Sequence, residues 1–336
     1  MTAKQAGVWV LAWRRFRRDR VGFFSLMIVL VFLVIMLGTA SGLLVPDWQR
    51  EAGVSYAPPS FLGTQETAQA DSLKAEVSRP HEDYGIPDPL AADLAEIAKG
   101  VSSATASEAR APTLAFGGDK WGRDVIKKAL KGTETSLFVG LAAAALAVFL
   151  GTLFGAQAGY YGGKVDDFFN WLYSVFTSIP YLLLVLAIAA VVNQKGTLTV
   201  ILILGLAGWT GIFRLIRAEY IKHKVREYVL AADAVGAGHY RRMYVHILPN
   251  VSHVILVQLS LHVVLFIKSE VILTFLGFGV GVETVSWGSM LAEAGAELLL
   301  GKWWQITAAT VAMALLVTAF SLFTDALRDA LDPRLK

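Results

Sequence analysis

Residues 136–158 read SLFVGLAAAALAVFLGTLFGAQA, a stretch without a single charged side chain. At 1.5 Å per residue, a helix of this length spans about 34 Å. The hydrocarbon core of a bilayer is roughly 30 Å thick, so one such helix can cross it. An open strand in lipid would leave its backbone groups unpaired. The stretch therefore predicts a transmembrane helix.

Comparable apolar stretches recur on both sides of this one. They are Val21–Val45, Phe168–Val192, Leu198–Ile216, Val251–Phe275 and Trp304–Phe323. Of the 336 residues, 55% are hydrophobic and 17% are charged, against about 25% charged in soluble domains. These observations predict an all-α integral membrane protein of about six transmembrane helices.

Two details refine this prediction. The first stretch has a basic flank like a signal peptide, but it exceeds the usual apolar length of roughly 7 to 15 residues, which favours a retained anchor. Pro180 lies inside the third stretch and predicts a kink there.

Lys and Arg set the expected orientation, because cytoplasmic loops are enriched in them. The segment WRRFRRDR (13–20) precedes the first stretch. Alternating the spans places 160–167, 217–250 and the C-terminal tail on the same side as the N-terminus. Residues 1–20 and these segments, counted with Arg214, hold 17 of the 30 basic residues. We expect a multi-pass membrane protein with both termini in the cytoplasm.

The chain divides accordingly. The predicted parts are a cytoplasmic amphipathic N-terminus (1–20), a first transmembrane helix (21–45), an extracytoplasmic loop (46–132), a five-helix core (133–326) and a cytoplasmic tail (327–336). Within the loop we expect a short helix at Leu90–Ala98 and an amphipathic one at Trp121–Lys131. The latter lies either on the membrane surface or in water, while Trp9, Trp13 and Phe16 predict an interfacial N-terminal helix.

No catalytic motif is present. The sequence lacks a GxxxxGK[ST] phosphate loop, an HExxH zinc helix and a GxSxG nucleophile turn. It also lacks cysteine, and its net charge of +3 is too small to indicate nucleic acid as a partner. We therefore expect no enzyme activity, metal site or cofactor on this chain.

The loop 217–250 contains REYVLAADAVGAGHYRRMYVHILPN at 226–250. Ala231 and Ala232 favour a helix without bulk, and Gly236 permits a chain reversal. A second short helix carries Tyr240, Met243, Tyr244 and Ile247 at helical spacing, and Pro249 is expected to end it. Such a helix either docks into a partner's groove or packs on its own spans.

This loop resembles the coupling loop of binding-protein-dependent ABC importer permeases in its Ala231-Ala232, Gly236 and Leu248-Pro249 pattern. Leu230 and His246 depart from the family pattern. Further segments resemble the dipeptide, oligopeptide and nickel branch. They are WRRFRRDR (13–20), GDKWGRD (118–124), GYYGGKVD (159–166), SE (269–270), FLGFG (275–279), SWG (286–288) and LRDALDPRL (327–335). The insert at about 50–116 is longer than expected for the branch.

The resemblance implies an ABC importer permease fold with a cytoplasmic coupling helix, forming half of a pore for di- and oligopeptides. It also implies four kinds of partner: a second permease subunit, two ATPase subunits that bind ATP and Mg, an extracytoplasmic peptide-binding protein, and membrane lipid. The implied ATPase-coupling residues are Ala231, Ala232, Gly236, Tyr240, Tyr244, Leu248 and Pro249. Nickel or another small solute is the alternative cargo.

Charges inside spans often mark a transport pathway. Lys268 lies 17 residues beyond Val251, near the expected outer face, where it either snorkels to the interface or contacts substrate; Glu270 points elsewhere. Both are candidates for an outer gate. An ion-coupled secondary transporter would predict carboxylates at mid-span, which the stretches almost lack, and a membrane-embedded enzyme would need a nucleophile or metal set.

Overall fold

The computed structural model describes residues 8–63, 93, 110–281 and 283–331. Within these ranges the chain forms helices and only isolated β-bridges, as predicted for an all-α membrane protein. The helices are α1 (Val8–Arg18), α2 (Arg20–Ala40), α3 (Val125–Tyr161), α4 (Gly163–Thr177), α5 (Tyr181–Val192), α6 (Thr197–Ala207), α7 (Thr210–Lys224), α8 (Glu227–Ala234), a π-helix (Arg241–Ile247), α9 (Leu248–Phe275), α10 (Trp287–Leu299) and α11 (Trp304–Leu331), with a 3₁₀ turn at Ser60–Leu62.

Four continuous helices are long and apolar enough to span a membrane: α2, α3, the π-helix continued by α9, and α11. Two further candidates are bent. The helices α4 and α5 meet at 83°, and α6 and α7 meet at 43°. Length and composition alone leave open whether each bent pair crosses the bilayer or returns to the same side.

Contacts near the ends of the helices show the course of both bent pairs. At one end, the Arg217 side chain bonds Asp166 at 2.5 Å, and Lys224 Nζ donates to the Tyr160 carbonyl at 3.1 Å. At the opposite end, Gly196 N donates to the Gly279 carbonyl at 3.3 Å. Since α4–α5 starts at the first end and finishes at the second, and α6–α7 returns, each bent pair runs the length of the bundle, which favours six candidate spans over four.

The first end is called the inner end here. It holds 160–166 and 217–247, and the outer end holds 46–63, 110–124, 193–196 and 276–303. Phe16 and Phe323 touch edge to face, with ring centroids 5.8 Å apart, which places α1 beside the end of α11. Arg328 of α11 lines the same cavity as Glu219 of α7, so these segments lie at one end of the bundle; the side of the membrane that this end faces stays a prediction.

Helix α3 is the centre of the bundle and packs most closely against α7. Three glycines four residues apart, Gly151, Gly155 and Gly159, face α7. A Cβ added at any of them would lie 2.5–2.8 Å from an α7 atom or the carbonyl of Trp209. Small residues at this spacing let two helix backbones approach closely where lipid provides no hydrophobic drive.

The amphipathic helix predicted at Trp121–Lys131 is not a separate element. Trp121 lies in the turn before α3, and residues from Val125 onward form the first turns of this 37-residue helix. Asp124 caps the helix by accepting from the backbone N–H groups of Ile126 and Lys127. At about 55 Å, α3 is longer than a bilayer core, so its end projects beyond the lipid.

Proline acts differently at two positions. At Pro180 the predicted kink is a full break, because the ring removes a hydrogen-bond donor and disfavours helical backbone at the preceding residue. Pro249, expected to end a short helix, lies instead in the first turn of α9. The π-helical register of Arg241–Ile247 directly precedes it and accommodates a residue without an N–H, so helix continues from Arg241 to Phe275.

Other boundaries differ less. Helix α2 ends at Ala40 rather than Val45. Helix α1 is present, and Phe16 is buried against Ala326 and Ala330. The helix predicted at Leu90–Ala98 lies, apart from Asp93, outside the described residues, as do the last five residues of the tail.

The close packing of α3 on α7 gives a paired test. Gly155→Ala places a Cβ 2.8 Å from the Phe213 carbonyl, whereas Gly295→Ala in α10 meets nothing within 4 Å. Alanine gains about 1 kcal/mol of helix propensity over glycine. We expect Gly295→Ala to raise the thermal unfolding midpoint in detergent slightly and Gly155→Ala to lower it. Equal shifts would show that the α3–α7 contact tolerates a methyl group.

Candidate functional site

The Gly236 turn ends α8 in a fully formed helix C-cap. Gly236 adopts a positive φ of 82°, which glycine adopts without strain. Its N–H donates to the Asp233 carbonyl at 2.8 Å, and Ala237 N–H donates to the Ala232 carbonyl at 2.9 Å. These two bonds form a Schellman motif. The predicted chain reversal at Gly236 is present.

Side chains fix this turn to the rest of the inner end. Arg242 pairs with Asp233 at 2.5 Å across the turn. The Tyr160 hydroxyl, at the end of α3, lies 3.1 Å from His239 Nδ1. Helix α8, the turn and the π-helix are therefore linked to α3, and the π-helix continues directly into α9.

The apolar face predicted for the second short helix is largely used within the chain. Met243 and Ile247 are buried, and the Tyr220 hydroxyl donates to the Met243 carbonyl at 3.2 Å. Tyr244 is half-buried, whereas Tyr240 is exposed. Packing on the chain's own spans thus accounts for Met243 and Ile247, and docking into a partner stays a prediction for the exposed part of the face.

The other predicted coupling residues also differ in their surroundings. Ala231 is exposed, and Ala232 is buried on the inward side of α8. Leu248 is half-buried and Pro249 exposed, both at the start of α9. The structure thus brings Ala231, Ala232 and Gly236 into one turn unit but assigns Leu248 and Pro249 to the adjoining span.

Three large apolar side chains are exposed on the segments that flank Gly236, among exposed polar residues such as Asp233 and Arg241. Leu230, Val235 and Tyr240 are 54%, 85% and 74% exposed, and together they are called the tip patch. Large apolar groups clustered outside the lipid indicate an interaction site. The sequence analysis did not select Leu230 or Val235; their signal was apolar side chains on either side of a glycine turn, where polar residues are usual.

A second surface lies between α7 and α9. A cavity of about 690 Å³ at the inner end is lined by charged and polar groups from both helices, among them Glu219, Lys222 and His253. An adjoining cavity of about 510 Å³ reaches Arg214 and Gln258. We call the surface formed by these five side chains the polar face. Arg214 contacts the Tyr173 hydroxyl at 3.2 Å, and sequence analysis missed it as a charge inside a span.

Comparison with known protein families identifies the family to which this chain belongs. Residues 137–336 match the family described as binding-protein-dependent transport system inner membrane component, which is more than half of the chain. The chain belongs to this family. Residues 7–59 match the N-terminal transmembrane domain of oligopeptide transport permease C. The family consists of transport components rather than catalytic enzymes, and the fold predicted from the resemblance is confirmed.

Individual relatives agree. A dipeptide transport system permease protein from Bacillus subtilis is 37% identical over 221 residues, covering 66% of this chain and 69% of the relative. An oligopeptide transport system permease protein from the same organism is 34% identical, covering 66% and 72%. A dipeptide transport system permease protein from Lactococcus lactis is 29% identical over 333 residues, covering 96% and 90%.

The two candidate gate residues of the permease lie in different environments. Lys268 is exposed on α9, whereas Glu270 is fully buried. Glu270 accepts hydrogen bonds from Ser136 of α3 at 2.9 Å and from Thr274 at 2.8 Å. The Ser136 hydroxyl in turn accepts from the Trp287 N–H at 3.2 Å. In this conformation Glu270 joins α9, α3 and α10 rather than lining an open surface.

A second group of buried polar side chains, centred on Lys128, lies at the outer end. Lys128 Nζ lies 2.8 Å from Asp119, 2.5 Å from Glu293 and 3.3 Å from the Gln305 side-chain oxygen. Glu297 is 2% exposed, and its oxygens have no hydrogen-bond partner among the described residues. Burial, reinforced by Glu293 and Asp119 against the opposing charge of Lys128, raises the pKa of Glu297 to about 7.

The Glu270 contacts give a stability prediction. Glu270→Ala removes the acceptor from two buried hydroxyls and opens a cavity, which we expect to cost roughly 2–4 kcal/mol. Glu270→Gln retains one acceptor and should cost less. Lys268→Ala, two residues away and exposed, is the control. Thermal unfolding in detergent should rank the variants Ala, Gln and control from least to most stable, and identical midpoints would contradict the assignment.

Glu297 predicts a dependence of stability on pH. Its pKa is raised in the folded chain, so between about pH 4.5 and 7 the folded state binds more protons than the unfolded state, and stability falls as pH rises through this window. Glu297→Gln removes the titration. We expect a shallower decline of the unfolding midpoint in this variant, and no such change for the exposed control Glu283→Gln. Parallel curves for all three proteins would be inconsistent with a titrating Glu297.

Proposed function

We propose that this permease forms one half of the translocation pathway of an ATP-driven importer of short peptides in a bacterial inner membrane. A second permease chain supplies the other half. Two ATPase subunits bind ATP and Mg and drive the transport cycle, and an extracytoplasmic protein delivers the peptide. The inner end faces the cytoplasm. The tip patch, an apolar surface outside the spans in a family of transport components, is the observation that carries the proposal.

The relatives support peptide as the cargo, because their names specify dipeptide or oligopeptide transport. The similarity extends over most of the length of each relative. These relatives provide no support for nickel, the alternative considered from the sequence. The family is one of binding-protein-dependent systems, which disfavours an ion-coupled secondary transporter.

Docking of an ATPase subunit is supported by the shape and chemistry of the Gly236 turn. A short helix with exposed apolar side chains fits a groove on a partner. The turn is linked through His239 and Tyr160 to α3 and through the π-helix to α9. A push on the tip patch would therefore reach two transmembrane helices without a flexible joint.

A second permease chain is supported by the polar face. Charged groups exposed at membrane depth are costly in lipid and face other protein or water. Arg214 and Gln258 lie on spans, and the cavities there are open toward the outside of the single chain. A partner chain covering this face would enclose a polar passage between the two subunits.

Reconstitution tests the proposed function directly. The permease, its second permease chain and ATPases should be placed in liposomes, with the binding protein outside and ATP within. We expect ATP-dependent uptake of a labelled tripeptide that stops when any one component is omitted. Uptake by this chain alone, or uptake driven by an ion gradient without ATP, would overturn the proposal.

The tip patch can be tested separately. Val235→Asp or Tyr240→Asp places a charge where an apolar groove would close over it, so we expect ATPase binding at least about tenfold weaker. Gly236→Pro cannot adopt the observed positive φ and should uncouple transport. All three should insert into the membrane and retain the second permease chain. Val165→Asp, exposed at the same end, is the control; co-purification and uptake measure the outcome.

Normal ATPase binding by both aspartate variants would show that the tip patch is not the docking surface. A charge at Ala232 is a poorer test, because this side chain is buried within its own chain and the substitution would disturb α8 itself.

A further inference from the structure

A small cavity opens at the outer end, between the start of α3, the loop after α9 and α10. Its volume is about 200 Å³, equal to roughly seven water molecules of the liquid. Its charged lining consists of Arg123, Lys128, Lys195 and Glu293. Nothing in the family match or in the coupling mechanism assigns a role to this cavity.

Arg123 is held rigidly at the cavity wall. Its guanidinium lies 5.6 Å from the ring centroid of Trp48 and 5.9 Å from that of Trp121. Its backbone N–H donates to the Asp119 carboxylate at 3.0 Å. Aromatic contacts fix the guanidinium while leaving its in-plane N–H groups able to bind a planar anion.

The charges around the cavity do not balance. Lys128 is bonded to Asp119, Glu293 and Gln305, so this group of one cation and two carboxylates has a net charge of −1. Arg123 has a buried Nε without a partner among the described residues. Neither it nor the exposed Lys195 forms an ion pair within this part of the chain. Arg123 and Lys195 add two positive charges, so these five groups sum to +1, and the Arg123 guanidinium has the fork geometry that suits a carboxylate.

We propose that this cavity binds the C-terminal carboxylate of a short peptide, with Arg123 as its principal ligand and Lys195 as a second cation. Each peptide with a free C-terminus carries this group, and the volume accommodates it with the one or two residues that bear it. The site lies at the outer end, where cargo arrives. The inference rests on the proposed import of peptides and adds a recognition site on the permease itself.

Binding to the assembled complex tests the site. The permease, second permease chain and ATPases are placed in nanodiscs without the binding protein, so that the latter's own affinity does not contribute. Tri-alanine and its C-terminal amide are titrated while tryptophan fluorescence is followed, since Trp48 and Trp121 flank Arg123. We expect saturable binding of the free acid and binding of the amide at least about tenfold weaker.

Variants then locate the response. Arg123→Gln should weaken binding of the free acid at least about tenfold and leave the amide unchanged, and Arg123→Lys should recover part of the affinity. Lys120→Gln removes a positive charge from the same segment but not from the cavity, and should bind like wild type. Trp121→Phe should reduce the fluorescence change without abolishing binding measured by calorimetry.

Several results would overturn the site. The first is equal binding of the free acid and the amide, and the second is unchanged binding of the free acid by Arg123→Gln. The third is that Arg123→Gln binds peptide normally but loses association with the binding protein or the second permease chain. This third result would mean that a protein carboxylate occupies the cavity. ATP-dependent uptake by the wild-type complex separates this failure from a wider one. Uptake without carboxylate dependence removes the site alone, whereas absence of any peptide uptake removes the proposed function.

Discussion

Lipid offers no hydrogen-bond partner to a peptide group, and this constraint underlies the described bundle. Backbone at membrane depth must be either helical or protected by neighbouring protein. The break at Gly208–Trp209 follows this rule, because both residues are buried among other helices, and Gly208 has no side chain to obstruct Phe266, whose ring would lie 2.4 Å from an added Cβ. The break at Pro180 lies instead in an exposed stretch, residues 177–180.

Within lipid, an apolar helix surface gains nothing by contacting another helix instead of the lipid acyl chains. Helices must therefore associate through close packing and polar contacts. The glycines of α3 provide close packing, because they let the α3 backbone approach α7. Glu270 and Lys128 provide polar contacts. Each joins several helices through charged or hydroxyl groups that would be costly if left unpaired. Specific polar contacts therefore hold the bundle near its outer end, and close glycine packing holds it toward the inner end.

The surfaces of the chain divide by what they can face. Apolar side chains on α2 and α11 suit lipid, whereas the polar face between α7 and α9 does not. The tip patch differs from both surfaces, because its apolar side chains lie at the inner end, beyond the spans. A single chain with Arg214 exposed on a candidate span and large apolar side chains exposed beyond the spans agrees with a family whose members are components of larger transport systems.

Hydrophobic stretches determined the class, an all-α membrane protein, because transfer of some 20 apolar residues into lipid outweighs local detail. The Lys/Arg bias predicted an orientation. The Gly236 turn was also predictable, since few residues other than glycine adopt its backbone. Tertiary structure decided the rest. It joined Trp121–Lys131 to α3, carried helix through Pro249, buried Met243, Ile247 and Glu270, and left Val235 exposed. The face of a helix that becomes buried depends on neighbouring helices that are distant in sequence. The spacing of apolar residues within a single stretch does not specify those neighbours.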